Sequence, residues 1–233
     1  MSRWIAVWAA LLLVPVLSGQ PVPPELDEAL ARLSTNAPRG WGFTQTSEGE
    51  GRSRVERYVP LGPTPARWEL LQMDGRAPTD GELESYRKNQ VLREGANPAP
   101  NVKEQIDRAT CKKVGDEGDR STWRFRLVPG TKDAWAPHMA ATFTLHRPSG
   151  TIETVELASF EPFSPMFLTN IAEARTTMRY SLPDGDRPSL LQEIIVKVRG
   201  SAWFFRSLDS HLTVRYSDYR YYGRKPDTTP AQP

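Results

Sequence analysis

The chain has 233 residues, of which 38% are hydrophobic and 25% are charged, proportions typical of a globular protein and not of a disordered one. Its formal net charge of +2 argues against a general nucleic-acid binder, because such proteins carry a larger basic excess. The single cysteine, Cys111, excludes an internal disulfide, so stability has to come from a packed core.

The first 19 residues have the layout of a secretory signal peptide. Arg3 precedes an almost unbroken apolar stretch from Trp4 to Leu17, and the small residues Ser18 and Gly19 follow it. This stretch is shorter than the roughly 20 residues that a membrane-spanning helix needs. Position 20 is glutamine, whereas a bacterial lipoprotein has its acylated cysteine there. We therefore expect residues 1–19 to be removed and the mature protein to be periplasmic or secreted.

The N-terminal part of the mature chain is predicted to contain two helices with strands between them. A helix is expected from Pro23 to Leu33, because proline occupies its first turn and leucines recur on one face. A second helix is expected from Thr79 to about Leu92, since Thr79 and Glu82 have the spacing of a capping box. Between the helices the hydrophobic period is two, and it predicts strands over residues 42–46, 55–59 and 67–73.

Beyond a linker at residues 95–100, apolar and polar residues alternate along several segments, as strands with one buried side do. Gly200 lies within a long alternating segment and predicts a bulge or bend there. Residues 225–233 are predicted to be a disordered tail. The further predicted strands cover residues 123–127, 141–145, 151–157, 176–182, 193–205 and 211–222.

The number and one-sidedness of these strands predict the fold class. About nine or ten antiparallel strands, each with one apolar side, favour a mainly β (α+β) fold. We expect a curled antiparallel sheet that forms an incomplete β-barrel, covered by about two helices, in a single domain over residues 20–224. A sandwich of two sheets is the alternative.

The sequence carries no recognisable catalytic or metal-binding motif. It lacks a His-Glu-x-x-His pair, a Cys-x-x-Cys pair, a glycine-rich phosphate loop and a Gly-x-Ser-x-Gly elbow. The three histidines, at 138, 146 and 211, lie far apart in the sequence. We therefore expect a protein that is not an enzyme and needs neither cofactor nor metal. A hydrolase whose site assembles only in three dimensions is kept as an alternative.

The apolar sides of the strands supply the candidate binding site. In a closed barrel they would fill the core, and in an unclosed sheet they would line a pocket for an acyl chain; periodicity leaves both open. Burying one methylene group is worth about 0.8 kcal/mol, so such a pocket would hold a fatty chain well. The predicted cavity residues are Phe43, Trp68, Leu70, Trp123, Phe125, Phe143, Leu145, Met178, Tyr180, Val196 and Phe204.

Basic residues on the opposite sides of the strands have two interpretations. They form either a solvated outer face balanced by glutamates or a surface that attracts anionic lipid or an acidic partner. Consecutive aromatic residues at 203–205 place at least one ring on each side of the strand. The candidate contacts with a partner or a lipid headgroup are Arg67, Lys197, Arg199, Trp203 and Phe205.

Several short motifs resemble a known family. They are Phe43-Thr44-Gln45 in the first strand, Arg67-Trp68, Asp74-Gly75, the segment from Gly200 to Phe205, and Tyr216-Ser217-Asp218-Tyr219. With the signal peptide and the amphipathic helix, they resemble the periplasmic outer-membrane lipoprotein-sorting proteins, the LolA/LolB-like superfamily, and uncharacterised proteobacterial relatives of that group.

The resemblance implies an unclosed antiparallel barrel, capped by helices, whose hydrophobic cavity holds lipid acyl chains. Phe43, Gln45 and Trp68 match the family's pattern. The carriers' cavity arginine has no assigned counterpart here, and Arg54 and Arg67 are the two candidates. Our leading hypothesis is a periplasmic, non-enzymatic protein that binds an acyl chain of a lipid or lipoprotein and is not an integral membrane protein. The alternative is an envelope sensor or adaptor with a protein partner.

Overall fold

The computed structural model describes residues 20–34, 38–61, 67–94, 102–128, 134–203 and 206–223. The predicted signal peptide at 1–19, the linker at 95–100 and the tail at 225–233 lie outside the described residues, as do Phe204 and Phe205.

Eleven strands form one open, antiparallel sheet. They are β1 (Trp41–Gly49), β2 (Arg52–Tyr58), β3 (Trp68–Met73), β4 (Ile106–Glu117), β5 (Arg120–Leu127), β6 (Met139–His146), β7 (Thr151–Ser159), β8 (Thr169–Tyr180), β9 (Leu191–Ala202), β10 (Arg206–Ser207) and β11 (Ser210–Tyr221). Their order across the sheet is β3-β2-β1-β11-β9-β8-β7-β6-β5-β4, and β10 pairs with β9. The predicted mainly β fold with an unclosed antiparallel sheet is confirmed, because all the described strands belong to this sheet and not to a sandwich of two.

Among the described residues, three α-helices accompany the sheet: α1 (Pro24–Arg32), α2 (Asp80–Glu94) and the short α3 (Val102–Gln105), with a 3-10 turn at Ala136–His138. The predicted capping box is present at the start of α2. Glu82 Oε2 accepts a hydrogen bond from the Thr79 backbone N–H at 2.7 Å, and Thr79 Oγ1 accepts one from the Glu82 N–H at 3.4 Å. These reciprocal bonds satisfy backbone donors that the first turn of a helix leaves unpaired.

Gly200 lies beside an irregularity of the sheet, but the extra residue is on the partner strand β8 and not on the strand where the bulge or bend was predicted. The register between β8 and β9 shifts between Ile171 and Glu173, directly beside the pairing of Ile171 with Gly200. A Cβ at Gly200 would lie 2.5 Å from the Asn170 carbonyl oxygen, so the two backbones approach closely only because this residue is glycine.

β4 has no counterpart among the predicted strands. Its only fully buried residues are Ile106 and Cys111, which are an odd number of positions apart and could not share one face of a regular strand. The register shift between Asp107 and Lys112 lies between them and explains how they do, and a second shift follows between Lys113 and Gly115. The bulges remove the alternation from which a strand is predicted, and they occur in an edge strand.

The sheet has an inner face, which carries the buried side chains, and an outer face. α1 packs on the inner face of β4 to β8, and its Leu26, Leu30 and Leu33 are buried there. The Gln20 backbone N–H donates to the Cys111 carbonyl at 2.9 Å, and the Arg32 guanidinium donates to the Gly150 carbonyl at 2.8 Å. Both ends of the α1 segment are thus attached to the sheet.

Candidate functional site

The inner face has two differently filled regions. We call the part over β4 to β8, together with α1, the α1 region. The part over β1 to β3 and β11, together with α2, is the α2 region. Strand β9 lies between them in the sheet.

The α1 region is a packed apolar core. Most of the predicted cavity residues lie in it, and Phe125, Phe143 and Leu145 are completely buried. The Phe125 and Phe143 rings meet edge to face at 5.7 Å between centroids. These side chains therefore pack against one another and against α1, and they do not line an open cavity. The predicted cavity residues in this core are Trp123, Phe125, Phe143, Leu145, Met178 and Tyr180.

The α2 region contains an aromatic cluster centred on Phe43. The Phe43 ring centroid lies 5.2 Å from that of Tyr58, 5.5 Å from Trp68, 5.4 Å from Tyr216 and 5.7 Å from Tyr219. Phe43 is buried, whereas the four surrounding residues are half-buried. Two predicted cavity residues, Phe43 and Trp68, are thus brought together, along with tyrosines that the prediction did not include.

A buried carboxylate lies under α2 in the same region. The Glu56 side chain is only 1% exposed, and its Oε1 accepts a hydrogen bond from the Tyr86 hydroxyl of α2 at 2.8 Å. Gln45 Nε2 donates to Glu56 Oε2 at 3.3 Å. Arg54 Nε lies 2.8 Å from that oxygen but makes no directed hydrogen bond, so this contact is ionic.

The tyrosines of this region are held in their neutral form. Burial, followed by the charge of Glu56, raises the pKa of Tyr86 and raises that of Tyr216 to about 12. Burial likewise raises the pKa of Tyr219, whose hydroxyl donates to the Leu191 carbonyl. At neutral pH these phenols are hydrogen-bond donors and not nucleophilic anions.

The remaining predicted site residues lie apart from one another. Leu70 is buried on β3, and Val196 is half-buried on the inner face of β9. Of the two arginines left open by the sequence, Arg54 lies on the inner face beside Glu56, whereas Arg67 immediately precedes β3. Trp203 follows β9 and is 62% exposed.

A pocket of about 360 Å³ opens where the C-terminal end of α1 meets β7 and the β8–β9 connection. Among the described residues that line it, Tyr180 is the only predicted cavity residue and Arg32 is the only charged one. The other lining residues are mostly apolar or small, and none was predicted, because they come from a helix end, two strand ends and a connection whose proximity is set by the fold. They are Ala29, Leu33, Ser34, Pro38, Thr151, Ile152, Pro183, Pro188, Ser189 and Leu191.

The basic residues of the outer face are largely paired with glutamates. Arg175 lies 2.7 Å from Glu156, Arg179 lies 2.7 Å from Glu193, and Arg215 lies 2.8 Å from Glu48. Arg199 pairs with Glu173 at 2.5 Å, whereas Lys197 has no carboxylate partner among the described residues. Most of this face therefore corresponds to the solvated, balanced interpretation.

The histidines make local contacts. His146 Nδ1 lies 2.8 Å from Ser149 Oγ, but both belong to the β6–β7 turn, where Ser149 Oγ also contacts Thr151 Oγ1 at 2.7 Å. His138 lies 3.1 Å from Glu161 and stacks on a phenylalanine ring. Across the described part of the chain, no three His, Cys, Asp or Glu residues cluster as metal ligands. Within the same ranges, the helices are too short or too polar to cross a membrane.

Comparison with known proteins leaves the family open. No family model matches the chain, and no curated protein matches it. Among solved structures it is similar to GphF Dehydratase 1, with 11% identity, over 83% of this chain and 82% of that chain, at a TM-score of 0.18. A variant of that dehydratase made for improved crystallization matches with 10% identity and a TM-score of 0.17. Similarity this low assigns neither a fold family nor a function.

Proposed function

We propose that the protein is a non-enzymatic binding protein of the periplasm that holds an acyl chain of a lipid or lipoprotein. The observation that carries this proposal is the pocket of about 360 Å³ between α1 and β7 to β9. Its size lies within the range of about 300 to 1,000 Å³ that is usual for small-molecule sites, and its lining is predominantly apolar.

The chemistry of the lining suits a single chain with a polar end. Leu33, Ile152 and Leu191 offer hydrocarbon surface, and each methylene removed from water contributes about 0.8 kcal/mol. Arg32 is exposed at the rim, where its guanidinium already donates to the Gly150 carbonyl. Its other N–H groups suit a carboxylate or phosphate headgroup.

Two features of the sequence support the same proposal. The N-terminal pattern of residues 1–19 supports export, and the short motifs resembling the LolA/LolB-like superfamily support a lipid-binding scaffold. The proposed site differs in position from the one expected from the strands, because α1 and the apolar side chains of β5 to β8 occupy most of the inner face there.

Binding of a fluorescent palmitate analogue tests the proposal. Ser189 lines the pocket from a loop, so Ser189→Trp should fill it and weaken binding at least tenfold without lowering the melting temperature. Thr154→Trp is the matched control, because Thr154 lies on the outer face of β7, paired with Thr144 and Arg179. The proposal fails if the wild-type protein does not bind the probe, or if both tryptophan variants bind it as the wild type does.

A further inference from the structure

Two adjacent loops at one end of the sheet expose large apolar side chains. The β7–β8 loop exposes 89% of Phe167 and 67% of Met166, and the turn after β9 exposes 62% of Trp203. We call these three residues the apolar tip. The pocket lies at the other end of the same strands, by the β6–β7 turn and the β8–β9 connection, so the apolar tip is a separate surface.

The two loops are joined to each other. The Trp203 backbone N–H donates to the Leu168 carbonyl at 2.8 Å, and the Thr169 N–H donates to the Met166 carbonyl at 3.2 Å. Leu168 and Trp203 have positive φ values of 60° and 54°, a left-handed conformation that bulky residues seldom adopt. Such a conformation persists only where the surrounding structure holds it. The backbone that carries the apolar tip is therefore fixed by defined hydrogen bonds.

Cationic residues lie behind the apolar tip. The Arg126 guanidinium lies 4.9 Å from the Phe160 ring centroid, at the base of the β7–β8 loop. Arg206 lies in β10, shortly after Trp203 in the chain. Lys197 lies in the middle of β9, in a shallow groove of the outer face that His211 also lines. Within the described residues none of the three cations has a carboxylate partner.

Three carboxylates at this end make contacts with other residues of the chain. Glu161 faces His138 at 3.1 Å, and Glu173 pairs with Arg199. Asp209 Oδ1 accepts the Gly200 backbone N–H at 3.1 Å. A backbone N–H does not cancel the charge of Asp209, so this end keeps charges of both signs. Arg126, Arg206 and Lys197 are the basic groups at this end that a lipid phosphate could contact.

We propose that the apolar tip docks this end of the sheet onto the surface of a bilayer that contains anionic lipid. Phenylalanine, methionine and tryptophan side chains enter the boundary between headgroups and acyl chains, where tryptophan is favoured because its ring is apolar and its N–H is polar. Arg126, Arg206 and Lys197 then face lipid phosphates. The apolar side chains project from loop ends and do not line a groove, which suits a fluid surface better than a shaped protein site.

Sedimentation with vesicles tests the proposal with the full-length mature chain. The wild-type protein is expected to bind vesicles of phosphatidylglycerol and phosphatidylethanolamine, and to bind them less at high salt. Phe167→Ser and Trp203→Asn should each lower the partition coefficient about tenfold. Asparagine is chosen because it tolerates a left-handed backbone. Arg206→Glu should weaken binding to these vesicles and leave any binding to neutral phosphatidylcholine unchanged.

Leu61→Ser is the matched control, since Leu61 is 43% exposed and follows β2 at the opposite end of the sheet. It should bind vesicles as the wild type does, and all variants should keep the wild-type melting temperature. Failure of the wild type to bind vesicles overturns the proposal, as does equal binding by Phe167→Ser and Trp203→Asn. Self-association through the apolar tip, with no vesicle binding, overturns it as well. The palmitate experiment is unaffected by any of these results, because its pocket is separate.

Discussion

The two regions of the inner face are stabilised by different kinds of contact. In the α1 region, the strands turn rings and branched side chains inward, and an amphipathic helix fills the remaining space with leucines. In the α2 region, the strands turn Glu56 and several tyrosines inward, and α2 contributes a hydroxyl from Tyr86. One region is stabilised mainly by close packing, and the other depends on the geometry of a few hydrogen bonds.

This difference shows where a ligand can be accommodated. A region filled by buried side chains has no room for an acyl chain unless α1 moves, so the pocket lies at the end of α1 and not beneath it. A region held by polar contacts loses stability when one partner is removed, because the other is left buried and unsatisfied.

The largest expected effect comes from breaking the packed region. Phe125→Ala removes a fully buried ring at the centre of the α1 region and should lower the free energy of unfolding by about 3 to 5 kcal/mol. Urea unfolding followed by circular dichroism measures this loss. Arg124→Ala, in the same strand but exposed, should change stability by less than about 0.5 kcal/mol. Similar losses for the two variants would contradict the packing described for this region.

Tyr86→Phe should have the next largest effect, through the polar region. It removes the 2.8 Å hydrogen bond to Glu56 Oε1, and should cost about 1 to 3 kcal/mol, because the carboxylate stays buried with one donor fewer. Since Phe125 and Tyr86 lie in different regions, the double variant should show the sum of the two losses within about 0.5 kcal/mol. A clear departure from that sum would mean that the two regions are coupled.

The attachment of α2 should depend on pH. The pKa of Glu82 falls from its usual 4.5 to about 2, first because of its hydrogen bond with Arg76 and then because of the Thr79 cap. Because the pKa of Glu82 is lower in the folded state than in the unfolded state, its ionised form stabilises the protein at pH values above the unfolded-state pKa. This stabilisation is lost as the pH falls toward 2. The difference in the free energy of unfolding between the wild type and Glu82→Gln should thus be constant above about pH 5 and should decrease toward zero near pH 2. A difference that persists at pH 2 would contradict this assignment.

The smallest effect is expected on the outer face, which neither region depends on. Arg215 pairs with Glu48, but both side chains are about half exposed, so Arg215→Ala should cost less than about 1 kcal/mol. Unfolding in added salt should reduce even that difference. A loss comparable to that of Tyr86→Phe would show that the outer ion pairs matter more than we infer.

The sequence predicts the α1 region better than the α2 region, for physical reasons. In β6 the buried residues alternate from Ala141 onward, and this pattern indicates that Phe143 and Leu145 face inward. In β2 the apolar residue Val55 is only half-buried, and its neighbour Glu56 is the one turned inward. A carboxylate is buried only when partners satisfy it, and Tyr86 comes from a helix 30 residues away. No local pattern indicates such a pair.

The pocket could not be predicted for a related reason. Its walls come from the end of α1, the start of β7 and the prolines of the β8–β9 connection, segments whose proximity is set by the fold alone. The alternation in the strands correctly indicated an apolar inner face, but it contains no information on whether a helix fills that face. α1 is predictable as a helix, and its place inside the sheet is not.

Native mass spectrometry of the mature protein purified from a bacterial periplasm tests the central claim most directly. We expect a species heavier than the bare chain by the mass of one acyl-containing molecule, present in the wild type and in Thr154→Trp and absent in Ser189→Trp. A wild-type spectrum that shows only the mass of the bare chain would contradict the proposed acyl-chain pocket.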